Sequence, residues 1–188
     1  MASQKSFLKD VVEKLEQAGI DYVICGSIAA SFYGVERSTQ DTDIIIDPTE
    51  DQIIKFIELI GAAYYVSRQA ALDALRQHDM FNVIDIENAW KADLIIKQQT
   101  DYGIEEFHRK RKKGLLGKEL HILSPEDTIL SKLLWAQKSC SELQHRDVMT
   151  ILDVQAGSLD MKYLNKWSKI LDVEDDLNKC LSEIQDFR

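Results

Sequence analysis

The sequence predicts a mixed α/β (α+β) fold, with a mixed sheet flanked by helices and a helical C-terminal region. Three observations lead there. Up to about residue 123, short runs of branched apolar residues alternate with stretches whose apolar positions recur every three or four residues. From Ser124-Pro125-Glu126-Asp127 onward, only the helical periodicity remains. Apolar residues make up 45% of 188, enough to bury the core of one good-sized domain, or of a domain with a small appendage. The chain therefore divides into an α/β part, 1–123, and a helical part, 124–188. No long linker separates them, so they are expected to pack as one body.

The elements follow in order. Ser3 caps a first helix whose positions Phe7, Leu8, Val11, Val12 and Leu15 form one stripe, and Gly19 ends it. Ile20 to Cys25 reads as a strand and Ile28 to Tyr33 as a short helix stopped by Gly34. Thr42 to Asp47 is a strand, and Pro48 turns the chain into a helix over Glu50 to Ile60. A further helix covers Gln69 to Arg76. Met80 to Ile86 and Trp90 to Ile96 are strands joined by Glu87-Asn88-Ala89. A helical turn near Tyr102 to Arg109 leads into the basic run Arg109-Lys110-Arg111-Lys112-Lys113, and Leu120 to Leu123 is a last short strand. Pro125 with acids in the first turn opens the helical part. Its expected breaks are Ser139 to Ser141, Ala156-Gly157-Ser158 and Asp172 to Glu174.

Composition narrows the function classes. A net charge of −9 argues against broad electrostatic binding to nucleic acid. The basic run is a local exception with two readings, solvated charge or phosphate contact. No apolar run approaches the roughly 20 residues of a membrane span, and the N-terminus lacks a signal-peptide core. Cys25, Cys140 and Cys180 make neither a disulfide framework nor a zinc pattern. The expected setting is a reducing cytoplasm, with no membrane partner and no zinc. His78, His108, His121 and His145 are scattered without ligand spacing.

Chemistry concentrates in Val23 to Asp47. Residues i and i+2 of a strand share a face, so Asp41 and Asp43 project together. Two close carboxylates repel, and a divalent cation reverses the sign of that cost. Mg²⁺ is commonly held by one or two carboxylates plus substrate phosphates. Asp93 heads Leu94-Ile95-Ile96 just as Asp43 heads Ile44-Ile45-Ile46. If the two strands are neighbours, three carboxylates meet at one end of a sheet. Gly26-Ser27 follows a strand and opens a short helix, a place where backbone N–H groups favour an anion. A phosphate cradle beside a metal-holding acid pair is equipment for two-metal phosphoryl or nucleotidyl transfer. Taken singly, Asp-x-Asp, Gly-Ser and a strand-edge Asp are ordinary structural features; their order and combination give the signal.

Gly26, Ser27, Ala29, Gly34, Arg37, Thr39, Asp41 and Asp43, followed by Asp93, stand in a register that resembles the nucleotidyltransferases of the DNA polymerase β-like superfamily. The closer resemblance is to the prokaryotic branch that includes the AbiEii-type toxins. It extends through "FNVIDIENAWKADLII" and through the helical segment bearing Lys132 and Arg146-Asp147, about residues 20 to 155.

The resemblance implies a nucleotidyltransferase-like fold and a Mg²⁺-dependent enzyme with two ions and an NTP as substrate. Asp41, Asp43 and Asp93 would be its catalytic acids and metal ligands. Gly26, Ser27, Arg37, Thr39 and Lys132 would be its nucleotide-binding residues. An amphipathic helix with lysines on its wet face accounts for Lys132 nearly as well, and a salt bridge accounts for Arg37. Asp147 has an alternative use as the partner of Arg146. The acceptor would be an RNA, a protein or a small molecule, and a cognate antitoxin or toxin protein is an implied partner. The competing function is a catalytically weak or inactive binding module of the same fold, acting through a protein partner.

Overall fold

The computed structural model describes residues 3–36, 39, 41–115, 117–139 and 141–186, with the backbone alone for 185 and 186. The described residues fall into two compact units, Met1–Cys25 with Ser38–Ile122, and Gly26–Arg37 with Leu123–Arg188.

The first unit is built on a seven-stranded mixed sheet. Its strands are β1 (Asp21–Ile24), β2 (Asp41–Asp47), β3 (Tyr64–Tyr65), β4 (Met80–Asp85), β5 (Lys91–Ile96), β6 (Arg111–Leu115) and β7 (Lys118–Ile122), in the order β3-β4-β5-β2-β1-β7-β6. The central strands are rich in buried isoleucine, with Ile24, Ile44, Ile46 and Leu94 out of contact with water. β2 lies antiparallel to β1 and parallel to β5, and β4 closes antiparallel on β5. The two-residue β3 was not legible in the sequence. Neither was β6, which forms a hairpin with β7 from the basic run itself.

Among the described residues, this unit carries the helices α1 (Gln4–Ala18), α3 (Glu50–Ile60), α4 (Arg68–Gln77) and α5 (Asp101–His108). The expected stripe of α1 is buried as drawn, with Ala18 added. Its N-terminus is capped by the Ser3 side chain, and its C-terminus by Gly19 in the left-handed region at φ 79°. α3 begins with a capping box, in which Thr49 accepts from the Gln52 backbone and Gln52 accepts from the Thr49 backbone. That exchange satisfies two orphan amide donors and fixes the helix start.

The second unit is helical: α2 (Gly26–Ser31), α6 (Pro125–Ser139), α7 (Glu142–Val154), α8 (Met161–Ile170) and α9 (Glu174–Asp186). The breaks between the last four fall where the sequence places them. α2 packs against α6, so a segment that the sequence reading assigned to the α/β part shares a unit with the C-terminal helices. Tyr33, just beyond α2, is buried and donates its hydroxyl proton to the Leu123 carbonyl at 2.7 Å. Gly34 follows at φ 107°, and a Cβ there would lie 2.8 Å from Val154 Cγ2. Glycine is required on both counts. Among the described residues no helix is long and apolar enough to cross a membrane.

Candidate active site

β2 and β5 place the acids. Their parallel register pairs Asp41 with Lys91 and Asp43 with Asp93, and β4 adds Asn82 opposite Asp93. Because the side-chain period is two, Asp41, Asp43, Lys91, Asp93 and Asn82 share one face of the sheet. The neighbouring strands expected for Asp43 and Asp93 are therefore present. β1 meets the same end of β2, where the Cys25 backbone N–H donates to the Asp43 carbonyl at 2.9 Å.

The acids differ in environment. The Asp41 side chain is 54% exposed, whereas that of Asp93 is 11% exposed. Asn82 Nδ2 donates to Asp93 Oδ1 at 2.5 Å, and Lys91 Nζ lies 3.1 Å from Asp93 Oδ2. The same ammonium stands 3.5 Å from Asp41 Oδ1. Burial alone would pull the Lys91 pKa down. Hydrogen bonding and attraction from Asp93, then from Asp41, outweigh it and hold the pKa above the ordinary lysine value. Lys91 is thus a fixed cation at neutral pH.

Sequence reasoning missed Lys91 and Asn82. The signal for Lys91 was present: it precedes Asp93 by two, the spacing that joins Asp41 to Asp43. Asn82 needed the pairing of β4 with β5, which no local pattern encodes.

A metal fits this donor set in part. Asp41 and Asp43, alternate residues at the head of one strand, would be the residues to hold a hard divalent ion, which prefers oxygen ligands. Among the described residues no group of three or more His, Cys, Asp or Glu side chains is arranged to hold a metal ion, and Lys91 stands between Asp41 and Asp93.

The other expected site residues are placed as follows. Gly26 and Ser27 are the first two residues of α2, with Gly26 at φ 60°, a conformation that side-chain-bearing residues rarely adopt. Thr39 donates its hydroxyl proton to the Asp41 carbonyl at 3.0 Å, steadying the approach to β2. Arg37 lies outside the described residues. Lys132 does not lie on a wet helix face. It is 3% exposed and donates to Asp147 Oδ2 at 2.7 Å and to Gln144 Oε1 at 2.9 Å. Asp147 thus accepts from Lys132, where the sequence offers Arg146 as its partner.

No protein-family model and no curated protein matches the chain. Solved structures do. An antigenic nucleotidyltransferase-like protein from Paracoccidioides brasiliensis aligns over 95% of this chain and 92% of its own at 16% identity, with a TM-score of 0.59. ANT(2")-Ia in complex with adenylyl-2"-tobramycin aligns over 97% and 99% at 12% identity, TM-score 0.59. The lincomycin-bound lincosamide antibiotic adenylyltransferase LnuA aligns over 82% and 98% at 15% identity, TM-score 0.54. The chain has the nucleotidyltransferase-like fold.

Proposed function

We propose that this protein transfers a nucleoside monophosphate from an NTP to a hydroxyl group. The observation that carries the reading is the Asp43–Asp93 register on adjacent parallel strands with Asp41 beside it, in a fold similar to that of adenylyltransferases. Asp41 and Asp43 would hold a divalent ion, Mg²⁺ by the hardness of the donors. When bound, that ion neutralises the triphosphate and polarises the α-phosphoryl oxygens. Asp93 takes the proton of the acceptor hydroxyl, whose oxygen forms the new bond to the α-phosphorus as the α–β anhydride breaks and pyrophosphate leaves.

A small-molecule acceptor is the favoured class, because two similar structures hold an adenylylated aminoglycoside or a lincosamide. The basic run does not favour RNA. Lys110 is engaged with Asp21, and Lys112 stands 3.4 Å from Glu119. Arg111 to Lys113 lie on β6 at the sheet edge, where lysines block pairing with another chain.

The test is calorimetric titration of the protein with each NTP and Mg²⁺, followed by turnover with hydroxyl-rich antibiotics, RNA ends and proteins as acceptors. Binding of at least one NTP, lost in Asp41→Ala with Asp43→Ala, is expected. A full NTP panel without binding would overturn the reading. Label on RNA or protein alone would replace the small-molecule acceptor.

A further inference from the structure

Both carboxylate oxygens of Asp93 are engaged on the sheet face. One carboxylate oxygen accepts the Asn82 amide at 2.5 Å and the other faces the Lys91 ammonium at 3.1 Å. The register brings the Lys91 side chain within reach of both acids. Lys91 sits opposite Asp41 and two residues before Asp93 on the same strand face, and its ammonium reaches both carboxylates. Its side chain is 34% exposed, so the charge is only partly shared with water. Asn82, fixed across β4, orients Asp93 from the other side. The group is a closed acid–ammonium–acid arrangement in which one positive charge already bridges two strands.

We propose that Lys91 is a built-in monovalent cation standing where a second divalent ion would bridge Asp41 and Asp93, and that each chain takes a single divalent ion. The proposal rests on the nucleotidyl-transfer reading for the presence of an ion at Asp41 and Asp43. It departs from the two-ion expectation for the third acid. Asp93 then acts on the acceptor hydroxyl as a carboxylate oriented by Asn82 and Lys91, without serving as a metal ligand. Lys91 is a positioning residue by this account.

Counting bound metal tests this without reference to turnover. The full chain is titrated with Mn²⁺ in the presence of a non-hydrolysable ATP analogue. Free Mn²⁺ is read by its electron paramagnetic resonance signal, and thermal melts establish that each variant is folded. The wild type is expected to bind one ion per chain. Lys91→Gln, which strips the cation from Asp93, is expected to bind two, and Lys91→Arg to remain at one. Asp93→Asn is expected to keep the wild-type Mn²⁺ affinity within about threefold while losing transfer. Two ions in the wild type, an unchanged count of one in folded Lys91→Gln, or a tenfold loss of Mn²⁺ affinity in Asp93→Asn would each overturn the proposal and leave nucleotide binding standing. No ion at all in the wild type would overturn it together with the functional reading. If Lys91→Gln does not fold, the Asp93→Asn affinity decides.

Discussion

Lys132 and Asp147 form an ion pair whose side chains are each 4% exposed. Removing one member of such a pair leaves a buried charge, which costs about 3–5 kcal/mol, whereas removing both in favour of apolar groups costs far less. Lys132→Met is therefore expected to lower stability by about 3–5 kcal/mol in urea unfolding, and Lys132→Met with Asp147→Leu to recover most of it. A Lys132→Met chain of wild-type stability would show that the pair is not structural. Gly34 makes a second expectation at this scale. Gly34→Ala combines a left-handed backbone with a Cβ 2.8 Å from Val154 Cγ2, and should lose about 1–3 kcal/mol by the same measurement. The sequence marked Asp41, Asp43, Asp93 and Gly34 because their meaning is local: an i+2 spacing, or a stop after a helix. It left Lys132 between a wet face and a phosphate, because burial of a lysine depends on which helix covers it.

Elements were legible where they carried their own punctuation. α1 has Ser3, a clean apolar stripe and Gly19, and α3 follows the turn at Pro48, so both were read from local chemistry, whereas the Thr49–Gln52 capping box that fixes the start of α3 was not. The turn joining β4 to β5 was also visible, though its mechanism was not. Asp85 Oδ1 accepts the backbone N–H groups of Glu87 and Asn88, each at 2.9 Å, and Asn88 Nδ2 reaches both Asp85 oxygens. Ala89 closes the turn at φ 58°. Because alanine pays about 1 kcal/mol for that conformation and glycine does not, Ala89→Gly is expected to raise the melting temperature by a few degrees; a fall would contradict the strain argument. β6 was missed for a physical reason. Its residues, Arg-Lys-Lys-Gly-Leu, lack the alternation of a half-buried strand, and the hairpin with β7 supplies its pairing. Charge on such an edge serves solubility and looks like a loop in the sequence.

At the scale of the molecule, the sheet order could not be read from local patterns, because β2–β5 and β1–β7 are pairings between distant segments. The nucleotidyltransferase-like fold was reached through the resemblance around Gly26 to Asp43, and the mixed α/β class through periodicity. Acid sensitivity is a property the whole sheet unit should display. The His121 ring stacks beside Tyr22 with centroids 5.5 Å apart, and its Nδ1 is buried without a hydrogen-bond partner among the described residues. Burial first, then the Lys110 charge, push its pKa below the ordinary histidine value. A depressed folded pKa means stability is full above the unfolded value of about 6.5 and is lost as pH falls from there toward the folded value. Asp85 behaves in the same sense at lower pH. Burial opposes its ionisation, but the Asn88 and Glu87 donors outweigh that and hold its pKa below 3.8. The urea midpoint is expected to decline from pH 7 to pH 5, and His121→Phe to flatten that decline. An identical slope in the variant would remove His121 from the account.

The central claim is that Asp41, Asp43 and Asp93 form one site for transfer of a nucleoside monophosphate. Its most direct test is paired labelling: the same NTP carrying label at the α- or the γ-phosphate is incubated with the protein, Mg²⁺ and the acceptor panel. The expected result is α-label on an acceptor and γ-label in pyrophosphate, both abolished by Asp43→Asn at unchanged melting temperature. Release of γ-label as inorganic phosphate, or α-transfer that persists in Asp43→Asn, would contradict it.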